Sequence, residues 1–313
     1  MIMAHGAFGS VSRERSLFLL VSAEHNGKSG CMKIALLTAL TMVAFAANSL
    51  LTRLAVDGGH ADPASFAILR VLAGAVVLAA LVLPKTHRLP LKDPMRLIGA
   101  VSLAVYMVGF SVAYVTLDAG LGALILFGVV QISMFLYASL RGQTPSMRRL
   151  LGASIAFVGL LVALWPGAGS GSDPLGAAAM VFAGLGWAVY TISGKSARHP
   201  LAATAANFCI CLPVVAIVLL PFIAQVTLAG FVLAMICGGV TSGLGYALWY
   251  RVLPHLQATV AAIVQLSVPI IAILGGALLL AEPVPFSVVL AAALVVFGIG
   301  LAVTSQPAQA GRK

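Results

Sequence analysis

Polar side chains are scarce inside the apolar runs of this chain, and those present share one kind of chemistry. The stretch QLSVPIIAILGGALLLAE, residues 265–282, carries Gln265, Ser267 and Pro269 within five positions, a glycine pair ending on Gly276, and Glu282 at its close. Proline has no N–H, so the carbonyl of Gln265, four residues before Pro269, loses its helical donor. An unmet carbonyl in hydrocarbon is costly, so this turn must face protein, water or a ligand. Ala258, Ala261, Gln265, Pro269, Ala272 and Gly276 fall on one helical stripe, small except for the glutamine. Such a face offers amide hydrogen bonds to a neutral or zwitterionic molecule. Its plainer use is a packing seam in which Gln265 bonds a neighbouring helix.

Gln131 is the other lone amide near the centre of an apolar run. VVQIS around it echoes IVQLS around Gln265 in chemistry, not in aligned position. Aromatic residues with polar tips gather in three runs: Tyr106 and Tyr114, then Trp187 and Tyr190, then Tyr246, Trp249 and Tyr250. They suit a cavity for amphipathic or aromatic small molecules, and equally the belts at a membrane interface. Trp249 and Tyr250, near the end of a run, are assigned to the belt, and Tyr190 and Tyr246, beside glycine stripes, to the cavity. The substrate-cavity candidates are therefore Gln265, Ser267, Pro269, Gln131, Tyr190, Tyr246, Trp187, Tyr106 and Tyr114. Arg70 is a charge within an apolar run, a functional position by default. It either snorkels to headgroups or pairs with Asp57, Asp62, Asp118 or Glu282. A structural or gating role is expected of Arg70, Glu282 and Gly276.

Catalytic chemistry finds little to build on. SGKS at 193–196 lacks the earlier glycine of a phosphate-binding loop, since position 189 is valine. Neither HExxH nor GxSxG occurs, and His60, His87, His199 and His255 all lie in loops. Cys31, Cys209, Cys211 and Cys237 have no metal or CxxC spacing and read as small apolar residues. No catalytic or metal-ligating residue, no cofactor and no ATP are expected. No Asp or Glu stands in the middle of an apolar run, so a buried carboxylate relay for protons is not expected either.

The elements that must hold these residues follow from composition. The 313 residues are 61% hydrophobic and 8% charged, with a mean hydropathy of +1.09, where a soluble domain carries about 25% charged residues. Apolar segments recur at 34–54, 64–83, 97–117, 120–140, 147–165, 175–194, 201–223, 227–250, 257–281 and 284–304, each near the roughly 20 residues that cross a bilayer. The fold class expected is an all-α integral membrane protein of ten transmembrane helices. With the N-terminus inside and every segment crossing, 16 of the 18 lysines and arginines fall in loops or tails on the inner side, Arg53 lying outside and Arg70 within a span. The net charge of +10 thus orients the protein in a lipid bilayer and does not call for nucleic acid. A multi-pass protein of the plasma membrane (the bacterial inner membrane), with both termini cytoplasmic, is the expectation. Residues 1–32 are set apart as an extension, either a disordered tail or a stretch ahead of a true start at Met32, and 305–313 as a short cytoplasmic tail.

Two halves repeat. AFAANSLLTR at 44–53 aligns with GWAVYTISGK at 186–195, matching Phe45 to Trp187 and Arg53 to Lys195. FVGLLVAL at 157–164 aligns with VFGIGLAV at 296–303, matching Gly159 to Gly298. Five spans per half is an odd number, so the second half, 175–304, would insert upside down relative to the first, 33–165, the arrangement associated with alternating access. YMVGFSVAYVTLDAGLGALILFGVVQISM (106–134) and TSGLGYALWYRVLPHLQATVAAIVQLSVPIIAILGGALLLAE (241–282) resemble the EamA-type branch of the drug/metabolite transporter superfamily. The resemblance covers essentially 33–304 and implies ten spans in two inverted five-helix repeats. The first half departs from the pattern, with Val130 where Pro269 would align and Gln143 where Glu282 would. The function expected is secondary transport of small neutral or zwitterionic metabolites, amino-acid-like or aromatic, by an exporter, monomeric or homodimeric. A non-transporting scaffold and, further off, a membrane-embedded enzyme are the alternatives. GxxxG at Gly239 and Gly243 is assigned to packing within the chain rather than to dimerisation.

Overall fold

A computed structural model describes residues 8–86, 88–142, 146–164, 173–194, 197–256 and 264–304. Among them the chain is helical, without strands; an isolated antiparallel bridge joins Ala61 to Val226. The helices are α1 (Phe8–Val56), α2 (Pro63–Thr86), α3 (Met95–Ala113), α4 (Ala119–Leu140), α5 (Met147–Leu164), α6 (Pro174–Gly194), α7 (Pro200–Leu219), α8 (Leu228–Val252), α9 (Ser267–Leu279) and α10 (Phe286–Thr304). Seven described segments are long and apolar enough to cross a membrane: Met32–Val56 of α1, then α2, α3, α4, α6, α7 extended to Phe222, and α8. The described parts of α9 and α10 are apolar but shorter, and residues 257–263 of the expected ninth span, with Ala258 and Ala261, lie outside the described residues. Gln143, Lys195 and the 165–172 loop also lie outside them. Backbone helix continues through 8–31.

Apolar side chains on the outside of the bundle, such as Leu40, Val76, Phe157, Leu274 and Phe297, are 50–63% exposed. Between 39% and 67% of each long apolar segment is buried inside the protein, and lipid must cover the rest. This is a multi-pass membrane protein.

Packing inside the bundle follows a regular order. α5 lies along α10, α3 along α6, α2 along α7 and α8, α4 along α6 and α9, and α1 along α8 and α9. The α5–α10 contact is close because Gly159 meets Leu294 and Val295 while Gly298 meets Ala156 and the backbone of Gly152; a Cβ at either glycine would enter the partner helix. Gly239 and Gly243 face Val77 of α2, a contact within the chain. In α8, residues Ile236–Leu244 widen into a π-helix, a local rewinding found at functional positions. The polar residues divide by end. Asp57, Asp62, Asp118, Asp173 and Glu282, five of the eight acidic residues, cap one end of the helices, while the loops and helix ends at the other carry Lys85, Arg88, Lys92, Arg141, Arg148, Arg149, Arg198 and Arg251.

Candidate functional site

A cavity of about 370 Å³ enters the bundle from the basic end, reaching the helix ends at Gly194, Pro200 and Leu253. Its walls are aromatic: Phe45 of α1, Trp187 and Tyr190 of α6, and Tyr246, Trp249 and Tyr250 of α8. Two amides complete it, Gln131 from α4 and Gln265, just ahead of α9. Rings hold one another in place. Trp187 stacks on Tyr190 at 5.3 Å and leans on Tyr246 at 5.3 Å and Tyr106 at 5.0 Å, while Phe45 meets Tyr246 edge-on at 5.8 Å. The Tyr190 hydroxyl is fixed through Thr204 of α7 at 3.1 Å. The helix carrying Gln265 breaks locally: Val264 and Gln265 are helical, a turn falls at Leu266, and α9 starts at Ser267. The Ser267 hydroxyl turns back to donate to the carbonyl of Val264 at 2.6 Å. Pro269, which cannot donate to the carbonyl of Gln265, stands just after this break, and Gln265 beside it lines the cavity.

Beyond the ring wall, toward the acidic end, the bundle closes. Arg70 of α2 is fully buried there. Its Nε donates to Ser242 Oγ at 3.2 Å and its Nη2 to both Asn48 Oδ1 and the Tyr106 hydroxyl at 3.1 Å. Its guanidinium also stands 4.8 Å over the ring of Phe110. The Asn48 carbonyl oxygen accepts from Thr241 at 2.8 Å and Ser242 at 3.0 Å as well. Thr241 and Ser242, adjacent in sequence, reach the same oxygen from the π-helical turn of α8. Four helices, α1, α2, α3 and α8, thus meet at one hydrogen-bonded knot.

Nearer the acidic surface a second arginine acts as a clasp. Arg53 of α1 reaches Asp57 at 3.2 Å, Asp118 at 3.5 Å and Glu282 at 3.4 Å, and donates to the carbonyls of Tyr114 at 3.3 Å and Val115 at 3.1 Å. Glu282 accepts from the first N–H of α4, at Ala119, at 2.9 Å, so it sits on the positive end of that helix. It reaches this place because the chain folds back at the end of α9: the N–H groups of Leu280 and Glu282 both donate to the carbonyl of Gly276, and Ala281 adopts a left-handed φ of 54°. A Cβ at position 276 would overlap the Glu282 carboxylate, which is why glycine stands there. The Glu282 carboxyl is raised above its ordinary pKa: burial pushes it up and the Asp118 charge adds to this, against the opposing pull of the Ala119 N–H and Arg53.

Of the candidates named from sequence, Gln265, Gln131, Trp187, Tyr190 and Tyr246 line the cavity together. Tyr106 is one layer further in, under Trp187 and against Arg70. Tyr114 is fully buried near the acidic end, donating to the carbonyl of Ala119 at 3.3 Å, and is not part of the cavity. Ser267 faces a separate groove shared with α1 and His255, and Pro269 is buried in α9 without lining the cavity. Trp249 and Tyr250, assigned from sequence to an interfacial belt, belong to the cavity wall. Arg70 neither snorkels nor pairs with Asp57, Asp62, Asp118 or Glu282. Three of these go to Arg53, and Asp62 accepts from Ser65, Ala224 and Gln225. Sequence reasoning also missed Asn48, Thr241 and Ser242, whose only signal was a polar atom inside an apolar run.

With that geometry in hand, three comparisons with known proteins bear on it. Residues 174–304 match the EamA-like transporter family. An uncharacterized protein of Pseudomonas aeruginosa is 45% identical over 89% of this chain and 97% of its own. Uncharacterized transporters of Archaeoglobus fulgidus and Bacillus subtilis are 26% and 25% identical, covering 77% and 88% of this chain and 89% and 93% of theirs. A solved crystal structure superposes with a TM-score of 0.63 at 17% identity over 87% of this chain and 97% of that one, a likeness of fold alone.

Proposed function

The chain belongs to the EamA-like transporter family, and from that premise we propose that it is a secondary carrier exporting small neutral or zwitterionic metabolites, amino-acid-like or aromatic, by alternating access. The observation that carries this reading is the cavity: open toward the basic end, aromatic on its walls, bearing two uncharged amides, and closed toward the acidic end by two arginine-centred networks. Rings supply area for an apolar body, and amides supply orientation without demanding a charge. The state described is one of two that such a carrier needs. Its counterpart would open the acidic end by parting the Arg53 clasp and the Arg70 knot.

Ten spans in two inverted repeats are part of the proposal. The packing order supports it, since shifting helix numbers by five maps α3–α6 onto α8–α1, α4–α6 onto α9–α1 and α2–α8 onto α7–α3, and returns α2–α7, α4–α9 and α5–α10 to themselves. Phe45 and Trp187, matched by sequence, both line the cavity, and Gly159 and Gly298, also matched, both lie in the α5–α10 contact. Residence in the bacterial inner membrane, both termini cytoplasmic, transport without ATP or cofactor, and a monomer or homodimer complete the reading. A scaffold role would need a filled interior, and the cavity weighs against it.

Counterflow in proteoliposomes tests the proposal. Vesicles loaded with unlabelled amino acids, nucleosides or aromatic amines in pools should accumulate label from one pool. Exchange with no pool, by protein that keeps its fold, would return the chain to the scaffold reading.

A further inference from the structure

Arg70 lies inside α2, fully buried, and every group it touches is neutral: the Ser242 and Tyr106 hydroxyls, the Asn48 amide and the faces of Tyr106 and Phe110. The carboxylates at that end of the bundle are engaged elsewhere. Asp57, Asp118 and Glu282 pair with Arg53, Asp62 holds the start of α2 and the 224–225 backbone, and Asp173 holds the first turn of α6. Arg70 Nη1 has no hydrogen-bond partner among the described residues although it is buried. A buried guanidinium with a spare donor and no counter-ion is an expensive arrangement that neutral partners only partly offset.

Position gives this charge a use. A small void of about 20 Å³, the room of roughly one water molecule, lies between the cavity and Arg70. Phe45, Trp187 and Tyr246 line both the void and the cavity, while Asn48, Tyr106 and Phe110 line the void and touch Arg70. Rotation of the ring wall would therefore join the cavity to the arginine. We propose that Arg70 is the anion-binding end of the substrate path, receiving the carboxylate of a small zwitterionic or anionic substrate whose apolar body lies among the cavity rings. This rests on the carrier reading above. A planar guanidinium suits a carboxylate because two parallel N–H groups meet two oxygens. The same contact would compete with Asn48 and Ser242 for the arginine, so substrate binding would loosen the knot that joins α1, α2, α3 and α8 at the closed end.

The test uses ligand pairs that differ only at the carboxylate: phenylalanine, tryptophan and leucine, each against its amide. Thermal unfolding of the purified chain in detergent is followed with each ligand for wild type, Arg70→Lys and Arg70→Gln. At least one acid should stabilise wild type with a half-maximal concentration about tenfold below that of its amide, the effect of one charge-assisted contact. Arg70→Lys should keep part of that preference, and Arg70→Gln should bring acid and amide together. Equal behaviour of every acid and its amide on wild type, or an acid preference untouched in Arg70→Gln, would overturn the assignment. The wild-type comparison and Arg70→Lys stand even where Arg70→Gln fails to fold. Counterflow with the same pairs separates this inference from the carrier reading. Acid-selective binding without exchange would sink the carrier and leave Arg70 as the anion site, and exchange of acid and amide at equal rates would do the reverse.

Discussion

The two ends of this bundle use the same vocabulary of side chains to opposite ends. Toward the basic end, tyrosine, tryptophan and amide groups line a hollow, and the described polar atoms there belong to uncharged residues. Toward the acidic end, tyrosine, asparagine and serine close around two arginines and leave room for no more than about one water molecule. What differs is charge. A guanidinium draws several helices onto one point because its donors must be met in a medium without water, whereas an amide can be met locally and leaves room beside it. The acidic end closes around buried charge, and the cavity at the other end can stay hollow because the residues lining it are uncharged.

Four substitutions test that contrast. The largest effect on stability is expected from Arg53→Gln, which strands Asp57, Asp118 and Glu282 around one neutral side chain. Removing one partner of a largely buried ion cluster costs about 3 kcal/mol or more, so the unfolding midpoint in detergent should fall well below wild type. An unchanged midpoint would mean that the clasp contributes nothing to closure. Next, Gly276→Ala places a methyl where the Glu282 carboxylate lies. Overpacking of this kind costs about 1–3 kcal/mol, and thermal unfolding should register it, whereas an equally hollow acidic end would absorb the methyl at no cost.

At the open end, Gln265→Leu should keep the fold and lower counterflow about tenfold, the worth of one hydrogen bond of about 1.4 kcal/mol. Exchange at the wild-type rate would return Gln265 to the packing seam. The smallest effect is expected from Glu282→Gln, and it carries a sign. A carboxyl whose pKa is raised by folding binds its proton more tightly in the folded state, so its favourable contribution is present below the ordinary value of 4.5 and is lost as pH rises through the raised value. The midpoint of wild type relative to Glu282→Gln should therefore decline as pH rises above about 4.5, with the two close together in acid. A difference that grows in acid instead would show that the Arg53 attraction outweighs burial. The pH profile of counterflow should be the same in both proteins, as expected of a carrier without a carboxylate relay.

Much of the architecture was legible along the chain because a bilayer imposes its demands one segment at a time. Length and apolarity set the membrane-crossing parts of α1 to α4 and α6 to α8, the repeat match paired Gly159 with Gly298, and Pro269 announced a bend beside Gln265. The cavity was half legible: five candidates proved to share it, but Ser267 and Tyr114 carry the same atoms and face elsewhere. Periodicity says which residues share a face of one helix and nothing about what that face meets.

Class, segment limits, the unequal charge of the two ends and the residue types suited to a site were determined by the sequence itself, since each depends on neighbours within a few turns. Tertiary structure alone decided that Arg53, and not Arg70, takes the carboxylates, that Asn48 meets Ser242 across 194 residues of chain, and that Trp249 turns inward. Those outcomes depend on the relative rotation of helices far apart in sequence, where one turn of a helix exchanges a lipid-facing side chain for one that faces the site.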